Sequence, residues 1–216
     1  MVVELQNLKK IVRQGEGLQL EFKLKTKHPE KIIREIIAFA NTKGGMLMVG
    51  ISDDKQLIGA KFPDEDEFIL QKAIAEYCFP EISYQIERIS LDEDTERSVL
   101  IFHIPPSTNP PHYIQKGEDK GKVYVRVADR SIQASKEMKM ILKEQKKRKN
   151  FRFNYGEKES LLVQYLSQHP YVTIEDFAKI AHISPKTASR TLVLLCLANV
   201  LRIEPQEEKD RYLLVE

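Results

Sequence analysis

Three segments between residues 18 and 51 restrict the fold more than anything else in the chain. Leu18, Leu20, Phe22 and Leu24 alternate with Gln19, Glu21, Lys23 and Lys25. That is the period of a strand with one wet face. Behind Pro29, a good first residue for a helix, Ile32, Ile33, Ile36, Ile37 and Ala40 form an apolar stripe at helical spacing. Gly44-Gly45 stops that helix, and residues 46–51 are a continuous apolar run, as in a strand covered on both faces. Strand, helix, buried strand is a βαβ unit.

The rest of the first 150 residues extends this unit. A short helix opens the chain at residues 5–12. Asp53-Asp54-Lys55-Gln56 turns into Leu57-Ile58-Gly59. A second long helix is expected over residues 64–78, with acids in its first turn and Pro80 beyond its end. Strands follow near residues 83–90 and 98–104, then a proline-bracketed loop from Pro105 to Pro111 that can be neither helix nor central strand. Residues 122–127 form another strand, whose alternation puts Lys122, Tyr124 and Arg126 on one side.

Beyond Gly156 the pattern is helical. Leu161, Leu162, Tyr165 and Leu166 mark one helix, Thr173 caps a second, and Ser184-Pro185 opens a third. Residues 200–203 and 212–215 read as a closing hairpin. Between the two parts, Lys136, Lys139, Lys143, Lys146, Lys147, Arg148, Lys149 and Arg152 outnumber Glu137 and Glu144. This basic helix can lie along phosphates or serve as a solvated connector.

Gly15-Glu16, Glu21-Phe22-Lys23, the run from Ala38 to Gly45 reading A-F-A-N-T-K-G-G, and Val49-Gly50-Ile51-Ser52-Asp53 stand in the order of a known signature. The chain resembles the Schlafen-type AlbA-like domain, and its last three helices and hairpin resemble a winged helix-turn-helix domain. The expected fold class is α+β: an AlbA-like mixed sheet with helices over residues 1–135, a basic connector over 136–155, and a small winged-helix domain over 156–216. The resemblance implies nucleic-acid handling, with a metal-dependent ribonuclease in some members.

In those ribonucleases the catalytic acids belong to this motif, so Glu16, Glu21 and Asp53 are the candidates for catalysis and for holding Mg²⁺ or Mn²⁺. Along extended chain Glu16 and Glu21 stand about 16 Å apart, unless a bend at Gly15 or Gly17 brings them together. Equally, Glu21 can pair with Lys23 or Arg126 across the sheet, Glu16 can be a solvated loop residue and Asp53 can order a hairpin turn. Candidate nucleic-acid contacts are Lys23, Lys25, Asn41, Lys43, Gly44, Gly45, Arg126, Arg130, Lys146, Lys147, Arg148 and Lys149, with Lys186, Thr187 and Arg190 on the third C-terminal helix. Asn41 to Gly45 can form a phosphate-binding nest or simply end a helix.

Composition narrows the classes. A chain of 216 residues, 42% hydrophobic and 31% charged, suits a soluble two-domain protein. It has no apolar run long enough to span a membrane, and its start does not read as a leader, so a cytoplasmic location is expected. Cys78 and Cys196 form no ligand cluster. The phosphate loop G-x-x-x-x-G-K-[ST] is absent, so ATP is not expected. No cofactor is expected apart from a divalent ion if the protein is a nuclease. The leading expectation is a dimeric DNA-binding transcriptional regulator rather than an enzyme. The alternatives are a metal-dependent endoribonuclease, for which RNA is the substrate, and a protein-interaction adaptor. The adaptor draws on residues 151–216, which hold eight basic and nine acidic residues, and on the apolar surplus Val193-Leu194-Leu195-Cys196-Leu197.

Overall fold

A computed structural model describes residues 5–91, 97–145 and 155–215. The chain divides into two compact units, Met1–Gln133 and Ala134–Glu216.

The first unit is built on a four-stranded mixed sheet. Its strands are β1 (Leu20–Lys23), β2 (Gly45–Val49), β4 (Gln85–Ser90) and β5 (Ser98–Ile104), in the order β1-β2-β5-β4. β1 and β2 run parallel with Leu20 opposite Met46, and the other pairs are antiparallel. The expected βαβ unit is therefore present, with α2 (Pro29–Ala40) as its crossover. On one face lie α2 and α3 (Pro63–Tyr77), which bury Ile33, Ile36, Ile37 and Leu70 against Leu47, Val49, Leu100 and Phe102. On the other face α1 (Leu5–Gln14) packs Leu8 and Val12 against Phe22, Met48, Val99 and Ile101. Alternate residues of β2 and β5 thus enter different cores, which is why both read as unbroken apolar runs.

Two short ribbons complete the unit. β3 (Cys78–Phe79) pairs with β6 (Tyr113–Ile114), and β7 (Tyr124–Val127) pairs with β8 (Arg130–Gln133). Neither β3 nor β6, at two residues each, has the length for a period to be legible.

The second unit begins with α4 (Lys136–Gln145), continues through α5 (Glu157–Leu166), α6 (Ile174–Ile180) and α7 (Pro185–Leu197), and ends in the antiparallel hairpin of β9 (Leu201–Glu204) and β10 (Arg211–Leu214). Thr173 Oγ1 accepts from the Asp176 amide at 3.3 Å, and Ser184 Oγ from the Thr187 amide at 3.2 Å, so both expected caps form. Leu162, Phe177, Leu192, Leu195, Leu201 and Tyr212 make the core.

The basic run between the two parts is grouped with the second unit over its described residues. Met138, Ile141 and Leu142 are buried in α4, which packs on α7, and Ser189 Oγ donates to Glu137 at 2.6 Å. Val193 lies one turn beyond Ser189 on the same face and is buried, as is Leu195. Of the apolar surplus, Val193 and Leu195 are therefore covered within the unit, Cys196 and Leu197 are half-buried, and Leu194 is exposed. Among the described residues no helix is long and apolar enough to cross a membrane.

Candidate functional site

The first part of the signature, Gly15 to Lys23, forms the outer edge of β1 and the face of that strand turned toward α2. Gly15, at φ +83°, ends α1 by donating from its amide to the Val12 carbonyl at 3.1 Å. The chain then reverses: the Gly17 amide donates to Leu20 O at 2.9 Å, and Glu16 Oε1 accepts from the Phe22 amide at 2.9 Å. This is the bend needed to bring Glu16 near Glu21. Its effect is to satisfy β1's outer edge, where an open strand would otherwise present unpaired amides.

Leu20 and Phe22 enter the α1 core, so Glu21 and Lys23 point to the opposite face. Alternation alone makes that face wet, but Glu21 is only 5% exposed and Arg126 only 3%. The correction has a plain cause: α2 and β7 cover that face and bring Glu35 and Arg126 onto it. Arg126 Nη2 donates to Glu21 Oε2 at 2.6 Å and Nη1 to Glu35 Oε2 at 2.5 Å. Its remaining donors reach the Gly17 carbonyl at 3.0 Å, the Leu20 carbonyl at 3.2 Å and Ser131 Oγ at 3.3 Å, and its guanidinium lies 5.0 Å from the Phe39 ring centre. Lys23 holds the other oxygen of Glu21, and Ser131 donates to Glu35. One arginine fork thus ties the Gly17 turn, β1, α2 and β8 together, a use for which its fixed planar geometry is suited. Burial and the neighbouring Glu21 charge push the Glu35 carboxyl above the usual glutamate range, against the opposing pull of Ser131 and Arg126.

Asn41 is buried at the end of α2. Its side-chain nitrogen donates to the carbonyls of His112 at 2.9 Å and Tyr124 at 3.0 Å, and its oxygen accepts from the His112 amide at 2.7 Å. The Gly44 amide, at φ +70°, donates to Phe39 O at 2.9 Å and ends the helix. A Cβ at Gly45 would meet the Phe39 ring at 2.5 Å. This segment therefore closes a helix and docks the proline loop, the second of the two uses raised for it, with the Asn41, Thr42 and Gly44 amides all donating to carbonyls of α2.

The expected surface contacts thus separate into distinct places. Arg126, Asn41 and Gly44 are buried, and Lys23 is half-buried against Glu21. Lys25, Lys43 and Arg130 are exposed on the first unit, and Lys186, Thr187 and Arg190 are exposed together on α7. Lys43 borders a groove of about 560 Å³ shared with Gln19, Tyr84 and His103. Lys146, Lys147, Arg148 and Lys149 lie outside the described residues. Of the three candidate acids, Glu16 caps an amide, Glu21 is held by two cations, and Asp53 is exposed in the turn after β2. Among the described residues no three His, Cys, Asp or Glu side chains gather as metal ligands. A divalent ion needs converging oxygen ligands, and these donors as arranged do not fit one.

Glu35 and Ser131 escape the sequence reading. The available signal was an acid flanking the apolar stripe of α2, one helical turn before Phe39.

A family model described as Schlafen, AlbA_2 matches residues 16–135. The chain belongs to the Schlafen AlbA_2 family. Membership indicates a nucleic-acid-binding role and covers the unit whose motif has just been described. Among solved structures, the DIP2311 protein from Corynebacterium diphtheriae is similar, with 22% identity over 56% of this chain and a TM-score of 0.40. The matched region is 22% of that protein's chain, so this chain spans well under half its length.

Proposed function

We propose that this protein is a non-catalytic nucleic-acid-binding regulator of transcription, an AlbA_2 domain joined to a winged helix-turn-helix unit that contacts DNA. The observation that carries the choice of binding over cleavage is Glu21. Both of its oxygens are engaged, by Lys23 and by the buried Arg126, so the central acid of the motif acts as a structural counter-ion. The DNA contact is supported by α7, which follows a short turn from α6 and exposes Lys186, Thr187 and Arg190 within its first two turns. These side chains suit phosphates and base edges. The hairpin of β9 and β10 supplies the wing.

The test has two arms. Fluorescence anisotropy with a labelled DNA duplex across a salt series should show affinity falling steeply as salt rises, because phosphate contacts release counterions. In parallel, the protein and its Glu21→Gln variant are incubated with tRNA and single-stranded RNA in Mn²⁺, with identical background cleavage expected. Cleavage by the wild type that Glu21→Gln lacks would establish the endoribonuclease instead. Salt-independent or absent binding would favour the adaptor.

A further inference from the structure

A crevice of about 830 Å³ opens in the first unit beyond the carboxyl ends of the parallel strands β1 and β2. In open sheets with parallel strands, ligands settle at this end, because the chain leaves the sheet there in loops rather than hydrogen-bonded ladder. One wall continues β1 through Leu24 to Lys27. The other is the segment from Ile58 to Phe62, fixed by the Gly59 amide donating to Gly50 O at 2.8 Å and the Ala60 amide to Ser98 O at 2.7 Å. Neither the motif acids nor the Arg126 fork reaches into it.

Its surface has two chemistries. Leu24, Ile58, Phe62 and Ile69 line it and are all exposed, Phe62 the most at 55%. A soluble domain seldom leaves four large apolar side chains around one concavity without a use. Around them stand Lys25, Lys27, Lys61 and Arg97. Asp66 accepts from Thr26, and Glu65 is the other carboxylate at the rim. Among the described residues cations thus outnumber acids two to one at this rim, and no carboxylate pairs with Lys25, Lys27 or Lys61. Lys61 Nζ lies 5.1 Å from the centre of the Phe62 ring, which puts a phosphate partner beside the exposed aromatic.

We propose that this crevice binds an unpaired stretch of single-stranded nucleic acid, one base stacking in the apolar wall at Phe62 while flanking phosphates meet Lys25, Lys27 and Lys61. The inference rests on the nucleic-acid reading above and adds to it a site and a strand state. Aromatic rings set in a cationic groove are how unpaired strands are held irrespective of sequence. A duplex keeps its bases stacked and paired, so it offers the rim phosphates but nothing to insert. An acidic peptide satisfies the lysines and leaves Phe62 without a flat partner. The acids in the first turn of α3, Asp64, Glu65 and Asp66, already occupy that helix's positive end, which leaves the lysine rim as the place for phosphate.

The test uses the full chain and a labelled single strand of about 12 nucleotides, near the span of one such groove. Anisotropy is read for wild type, Phe62→Ala, the Lys25→Ala/Lys61→Ala pair, and Lys186→Ala/Arg190→Ala, beside the duplex of the same sequence. Phe62→Ala should weaken single-strand binding about tenfold or more while duplex affinity stays unchanged. The lysine pair should also flatten the salt dependence of single-strand binding, by roughly 0.7 in slope for each phosphate that is no longer neutralised. Phe62 is largely exposed, and an unchanged melting temperature confirms that its removal leaves the fold intact. If duplex binding depends on Lys186 and Arg190 while single-strand affinity ignores Phe62, the crevice assignment falls and the regulator reading stands. If wild type binds neither strand nor duplex, both fall. If an acidic peptide binds with Phe62 dependence and the strand does not, the crevice is a protein site and the proposal is overturned.

Discussion

Arg126 and its two carboxylates form the residue-scale centre of the first unit. Replacing one partner of a buried ion pair strands the others' charge, whereas an exposed pair contributes little. Arg126→Met should therefore lower unfolding stability by about 3–5 kcal/mol. Lys23→Met, removing a side chain that is 32% exposed, should cost less than about 1 kcal/mol. Urea denaturation of the two variants checks the contrast. Glu35 adds a pH dependence with a definite sign. Its folded carboxyl titrates above the unfolded value of 4.5, so the folded state binds the extra proton. That contribution is fully present below the unfolded value and is lost as pH rises through the folded one. Stability measured over this window should fall with pH more steeply in wild type than in Glu35→Gln. Equal slopes would mean that Glu35 is not held in the environment described.

At the scale of elements, the run from Ala38 to Gly45 works as a rigid corner. Asn41 joins the end of α2 to the proline loop and to β7 through three hydrogen bonds, and Gly45 lets β2 start directly against Phe39. Asn41→Ala should destabilise by about 1–3 kcal/mol, because buried backbone groups are left without their partner. Gly45→Ala should destabilise as well, since its Cβ would require the Phe39 ring to move. Hydrogen exchange would locate the Asn41 effect at residues 110–114 and 124–127, and protection unchanged there would refute the docking role. The long elements were legible in the sequence because their periods repeat: α2, β2, α3, β5 and α7 all lie within a few residues of the positions expected. β3 and β6 were not, since two residues carry no period, and β8, whose four residues have no alternation extending beyond them, was not either.

For the whole molecule, the two units divide the expected work. If α7 carries the duplex contacts, as proposed, Lys186→Ala/Arg190→Ala should flatten the logarithmic salt dependence of duplex binding by about 2, one for each phosphate contact. Single-strand binding should keep its slope in that variant. A dimeric regulator would also show two chain masses by light scattering, with duplex affinity dependent on protein concentration. These measurements separate a protein that reads nucleic acid on two surfaces from one that uses a single surface for both strand states.

By itself the sequence determined the longer elements, the family signature and the identities of the charged groups, because local periodicity, glycine stops and caps act over a few neighbours. It also placed Glu21, Lys23 and Arg126 on polar faces and raised their pairing as one of two uses. Only the tertiary structure decided between those uses. It laid α2 and β7 over the wet face of β1, joined residues 105 positions apart at 2.6 Å, and converted a row of surface charges into a buried fork. Burial is a property of what covers a side chain, and here the cover comes from distant parts of the chain. The crevice at Phe62 arose in the same way: its lysine and arginine side chains, brought from separate segments, acquire a common function only when parallel strands end side by side.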